Sequence, residues 1–234
     1  MRVNIRARQG WDPSVVALRD FGHDAINGWS CVMSHPPLLT LARLVLLAAG
    51  GFPAVAQDGP SFDCARASSW GEKLVCSDQG LATLDRNLQA RFEAALAAAA
   101  VRMPAALPEL RATQRGWIKG RDECWKGRYP HECVEANYLH REAQLVAAWS
   151  LEDPSWVTTY DCGSAAKVRV SYFNTEYPSI RIERGAETDV AVADLEEEHT
   201  RYASDLGSVF LVDADDAWLQ WLGASEEACT LEAG

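Results

Sequence analysis

Downstream of residue 60 the side chains that could do chemistry fall into three sets: six cysteines (Cys64, Cys76, Cys124, Cys133, Cys162, Cys229), three histidines (His131, His140, His199), and a run of carboxylates in the last third of the chain. Cys124, His131, Cys133 and His140 invite a zinc reading, but they lack the two short ligand pairs that common zinc sites use. The chain has a seventh cysteine, Cys31, in a segment expected to be lost; the remaining six, four in the middle of the chain and two near its end, read instead as disulfides, which fits an oxidising compartment. Asp213, Asp215 and Asp216 suggest calcium. An EF-hand loop counted from Asp213 would need Gly at its sixth place and Glu at its twelfth, where the sequence has Trp218 and Ala224, so a solvated turn is expected. The chain contains no Gly-x-Ser-x-Gly, His-Glu-x-x-His, phosphate loop or dinucleotide fingerprint. The expectation is a protein that is not an enzyme and needs no cofactor or metal.

These residues sit in a chain of 234 residues, 48% apolar and 24% charged, with ordinary globular composition. Its net charge of −11 argues against a nucleic-acid partner, which would require a basic footprint. The charge is uneven. Residues 57–150 carry 12 basic and 12 acidic side chains, whereas residues 151–234 carry 5 against 18, a net of −13. Near the start, an apolar core from Leu44 to Gly51 follows Arg43 and precedes Ala54-Val55-Ala56, the small-x-small form that signal peptidase reads. It is too short to span a bilayer. We expect residues 33–56 to be a signal peptide starting at Met33 and cleaved near Ala56, with residues 1–32 a mis-called extension. The mature protein is then periplasmic or secreted, with no membrane anchor.

Residues 57–150 carry helical periodicity. Ser69 to Glu72 has capping-box spacing and predicts a short helix to about Cys76. Gly80 is expected to break the chain. Leu81, Leu84, Leu88, Phe92, Ala95 and Ala99 then recur at helical spacing, and Pro104 and Pro108 separate this helix from a third. Leu110, Gln114, Trp117, Ile118 and Arg121 share one face of the third helix, with Gln114 and Arg121 as buried or half-buried polar contacts. A fourth helix follows Pro130, with His131 and His140 on its surface; Trp117 and Trp125 are expected to pack in the core or at its rim. Antiparallel packing of helices two and three would bring Cys124 near Cys76. This favours Cys76–Cys124 with Cys64–Cys133 over the local alternative, Cys64–Cys76 with Cys124–Cys133.

After Pro154 the pattern alternates. Val157–Tyr160, Lys167–Tyr172, Ile180–Glu183, Thr188–Leu195, Arg201–Tyr202, Gly207–Val212, Ala217–Leu222 and Ala228–Leu231 read as short strands, enough for a small sandwich or barrel. A Cys162–Cys229 bridge would tie its two ends. The fold class is therefore α+β in two domains, a small disulfide-stapled helical domain (57–150) and a small antiparallel β-barrel (155–234). The link through Leu151 to Pro154 is short enough for the two to touch.

Ser61-Phe62-Asp63-Cys64, Glu72 to Asp78, Leu81 to Phe92, and Gln114 to Arg141 with its Trp117, Cys124, Cys133 and Tyr138 resemble the N-terminal domain of LprI-type lysozyme inhibitors over about residues 61–149. The resemblance implies a stapled helical domain of bacterial envelope proteins associated with lysozyme inhibition.

The second half is similar to the MliC-type, C-type lysozyme inhibitor domain over residues 156–232. The residues that carry this are Tyr160-Asp161-Cys162, the alternation from Val168 to Phe173, Arg201-Tyr202, Val209-Phe210, Ala217 and Cys229. In that family a Ser and a Lys on two loops enter the lysozyme cleft and meet its catalytic carboxylates. Here Glu198 and Asp213 stand at those places, within Glu198 to Tyr202 and Phe210 to Asp215. The resemblance implies lysozyme as partner and Glu198, Tyr202, Asp213 and Asp215 as contact candidates. A carboxylate facing a carboxylate in a poorly solvated cleft is repulsive. The implied barrel therefore does not bring the family's plug with it.

Overall fold

The computed structural model describes residues 59–163, 167–194, 200–213 and 216–232. The signal-peptide and extension expectations for residues 1–56 lie outside them. The helical and barrel parts both belong to one unit, Pro53–Gly234.

The helical part opens with a 3-10 turn, Cys64–Arg66, and α1, Trp70–Ser77. The capping box forms as the spacing predicts. Ser69 Oγ accepts from the Glu72 amide, and a Glu72 carboxylate oxygen accepts from the Ser69 amide, both at 3.0 Å. Backbone N–H donors of Ser69 and Ser68 hold the Glu72 carboxyl below its ordinary pKa. We expect Ser69→Ala to remove about 1 kcal/mol of stability, seen as a drop of several degrees in the thermal midpoint with the fold unchanged by circular dichroism.

The expected break at Gly80 is corrected. Asp78 closes α1 and caps α2, Gln79–Arg102, by accepting from the Leu81 amide at 2.8 Å, so Gly80 lies inside the first turn of α2. The side chain of Asp78 supplies an acceptor that the new helix needs, and a breaker is not required. After the Pro104 turn come α3, Leu107–Asp122, a 3-10 turn at Glu123–Lys126, and α4, Pro130–Trp149. Val75, Leu81, Leu88, Ala95, Ala99, Leu110, Val134, Tyr138 and Leu145 form the core between them.

The disulfides are Cys64–Cys76 and Cys124–Cys133, closing separations of 12 and 9 residues. The long-range pairing favoured from helix packing is therefore wrong, although α1 does meet the end of α3 at its first turn. Gly71 of α1 approaches the α3 end so closely that a Cβ there would overlap the Asp122 carboxylate. Each half-cystine instead pairs across its own turn, where the backbone already returns on itself.

The second part is a closed barrel of eight strands, each hydrogen-bonded to the next and the first to the last. They are β1 Trp156–Asp161, β2 Lys167–Phe173, β3 Ser179–Arg184, β4 Glu187–Asp194, β5 Thr200–Ala203, β6 Val209–Asp213, β7 Asp216–Gln220 and β8 Glu226–Leu231. Alternate residues point inward: Val168 and Val170, Ile180 and Ile182, Ala191, Phe210, Ala217 and Leu219 fill the barrel. Cys162–Cys229 joins the first strand's end to the last strand, as expected. At the β5–β6 turn, buried Asp189 accepts from Ser204 Oγ at 2.7 Å, and that oxygen accepts from the Ser208 amide at 2.9 Å. Gly207 there has φ +94°, a conformation that L side chains rarely adopt.

Outward residues of β2–β4 are buried too, because α4 covers them. Phe173 and Val190 pack on Val146, Ala147 and Leu151. Arg181 donates to the Ala148 carbonyl at 2.7 Å, satisfying a C-terminal acceptor of α4. Gln144 donates to Asp205 at 2.8 Å. His140 is half-buried nearby rather than on the open surface, and burial lowers its pKa against the opposing pull of Asp205.

Candidate functional site

Two places gather chemistry-bearing side chains. The first is one end of the barrel. β5 pairs with β4 on one side (Asp194 opposite Arg201) and with β6 on the other (Thr200 opposite Val212), while Asp213 faces Asp216 across the β6–β7 turn. The last residues of β4 and β6 and the first residues of β5 and β7 therefore lie at the same end of the barrel. Glu198 and Asp215 lie outside the described residues. Asp213 is exposed and, with Leu211, Val212 and Trp218, lines a depression of about 200 Å³. Arg201 lies 3.5 Å from Asp194. Asp194, Asp213 and Asp216 give this end an acidic rim beside Arg201, and the sequence of segments 194–201 and 213–216 holds seven carboxylates and one arginine.

Tyr202 is placed differently from the other candidates. It is only 6% exposed, with its ring inside the barrel. It meets Tyr172 edge-on at 6.0 Å, and the Tyr172 and Tyr160 hydroxyls lie 3.1 Å apart. Burial raises the pKa of both Tyr172 and Tyr202. Tyr202 therefore braces the strand that carries the rim from within.

The second place is a buried polar chain in the helical part. Arg121, 3% exposed, donates to the Tyr138 hydroxyl at 2.8 Å, and that hydroxyl donates to Asp85 at 2.8 Å. The other Asp85 oxygen accepts from the Ser61 amide at 2.7 Å. Arg121 also contacts Asp122 at 2.6 Å and lies over the rings of Trp117 and Tyr138. Burial opposes the charge on Arg121, but Tyr138 and Asp122 more than offset it and leave the guanidinium more basic than usual. Burial pushes the Tyr138 hydroxyl well above its ordinary value. Beside this chain, Gln114 accepts from Arg141 at 3.0 Å. Phe62, Leu88, Trp117 and Ile118 complete a cleft of about 290 Å³ over Asp85, Gln114 and Arg121.

Gln114 and Arg121 are thus buried polar contacts, as their place on an apolar face predicts. The sequence reading did not single out Asp85, yet a signal was present: it lies four residues after Leu81, on the apolar stripe of α2. Trp125, expected to pack, is 54% exposed. Among the described residues no group of three or more His, Cys, Asp or Glu side chains is arranged to hold a metal ion.

The stapled helical segment has recognisable kin. Residues 64–153 match the model of the family described as Lysozyme inhibitor LprI. The chain is similar to the proteins named Lipoprotein LprI of Mycobacterium bovis (strain ATCC BAA-935 / AF2122/97) and of Mycobacterium tuberculosis (strain ATCC 25618 / H37Rv). Each is 36% identical over 104 residues, which is 44% of this chain and 50% of the relative. The chain thus spans about half the length of these curated relatives. The barrel lies beyond the segment matched by the family model. No solved structure matches the chain.

Proposed function

We propose that this chain is a non-catalytic protein of the periplasm or the secreted fraction, released by cleavage near Ala56, that binds lysozyme and restrains the C-type enzyme. The observation that carries the reading is the similarity of residues 64–153, with their two staples, to a lysozyme-inhibitor family. The barrel, read as MliC-like, supplies a contact surface. C-type lysozymes are strongly basic, and a domain of net −13 attracts them and raises the encounter rate. Glu198, Asp213 and Asp215 make the contact, and Tyr202 braces it.

A second reading keeps both folds but drops inhibition, leaving an envelope module that binds another protein. It is favoured by the carboxylates at 198 and 213, where the MliC-type pattern has Ser and Lys. One titration separates the two. Binding of C-type lysozyme to the mature protein should weaken about tenfold or more between 50 and 300 mM salt, because rim contacts are screened over roughly 8 Å. Cell-wall lysis should be slowed at low salt, and the double change Glu198→Ser, Asp213→Lys should strengthen inhibition although it makes the domain less acidic. Absence of lysozyme binding at low salt would leave the module reading. Tight, salt-independent inhibition would move the contact away from the rim.

A further inference from the structure

The face made by α3 and the turn after it is basic, aromatic and uncovered, in a chain whose net charge is −11. From Arg111 to Tyr129 there are six basic residues and two acidic ones. The acids are engaged: Asp122 pairs with Arg121, and Glu123 with Lys126. Arg111, Arg115, Lys119 and Arg128 are all exposed, and no carboxylate among the described residues pairs with them. Arg111, Arg115 and Lys119 recur every four residues and so share one stripe of α3, with Ile118 beside them. Trp125 and Lys126 follow in the 3-10 turn that directly continues α3. Trp125 is 54% exposed, Tyr129 58%, Ile118 38%, and Trp70, next to the Gly71 that abuts Asp122, 39%. The Cys124–Cys133 bridge closes the loop that carries both exposed rings, fixing their presentation.

From this we infer that the α3–Tyr129 face is a peripheral docking surface for an anionic phospholipid bilayer. Composition and charge choose this occupant. Amphipathic rings interleaved with Lys and Arg are the composition that settles at a bilayer's headgroup level. Lys126 lies 5.6 Å over the Trp125 ring and Arg128 5.3 Å over the Tyr129 ring. The barrel's net −13 repels an anionic surface, which leaves the basic face as the side such a surface can meet. Among the described residues no helix is long and apolar enough to cross a membrane; the contact is with the surface. The inference is independent of the lysozyme reading.

The test is co-sedimentation of the mature protein with vesicles of phosphatidylcholine alone or with one third phosphatidylglycerol, with purified peptidoglycan sacculi as a parallel arm. Binding is expected to the anionic vesicles only, falling as salt rises. Each basic side chain near such a surface changes partition about fivefold. Lys126→Ser with Arg128→Ser should therefore lower it about 25-fold, and Trp125→Ser with Tyr129→Ser should lower it and abolish the blue shift of tryptophan emission. All four positions are exposed, so thermal midpoints should be unchanged. Equal binding to both vesicle types, binding unaffected by these changes, or capture by sacculi without vesicle binding would overturn the inference.

Discussion

Replacing Cys162 or Cys229 by Ser should cost about 4 kcal/mol, more than loss of either helical bridge. The three bridges close separations of 12, 9 and 67 residues. In the chain-entropy account the stabilisation grows with the logarithm of the closed loop, giving about 3 kcal/mol for each short bridge and about 4 for the long one. The effect should also spread unequally. Cys64–Cys76 and Cys124–Cys133 lie wholly within the helical part, so Cys162→Ser leaves both intact. That part nevertheless loses cover, because Val146 and Ala147 of α4 are buried against Phe173 of the barrel. The variant should melt in two steps, the barrel first. Protease should cut within residues 156–231 while a helical fragment survives, with a midpoint slightly below its value in the parent. Equal midpoints for Cys162→Ser and the parent would remove the entropic account, and loss of the helical fragment together with the barrel would show that the two parts fold as one.

The cysteines illustrate how much of the fold was legible in the sequence. That six of them would pair, and that the last two would close the barrel, followed from parity and strand position. Which of the first four would pair did not, because helix antiparallelism fixes which ends meet but leaves the direction of each half-cystine open. α1 and the α3 end do touch, at Gly71 and Asp122, yet Cys64 and Cys133 each lie within one turn's reach of a nearer partner. Strands were legible to within a few residues because inward positions alternate strictly along β2 and β3. The exception is informative: Ser171, Ser179 and Phe173 are buried on the outward side, where alternation predicts solvent. Their cover comes from α4, which no local pattern encodes. Tyr202 shows the converse, since a motif position marks a residue without saying which way its ring points.

Among the side chains of the helical part, Arg121 should be the least replaceable. Arg121→Ala is expected to cost about 3–5 kcal/mol, the usual consequence of removing one member of a buried charged set. The reason lies with what remains. Asp85, 8% exposed, would keep the Tyr138 hydroxyl and the Ser61 amide, but the cation that balances it through Tyr138 would be gone. Asp122 would lose its contacts to the guanidinium, and Trp117 and Tyr138 the cation lying over their rings. Tyr138→Phe is a milder cut that leaves one donor of Arg121 and one oxygen of Asp85 unsatisfied, at about 1–3 kcal/mol. The pair should be coupled: Arg121→Ala with Tyr138→Phe should cost less than the sum of the single changes, since each breaks the same hydrogen bond. Urea unfolding of the three variants measures this directly. Strict additivity would mean that Arg121 acts through Asp122 and the Trp117 ring alone, and that the Asp85–Tyr138–Arg121 chain is no stabilising unit.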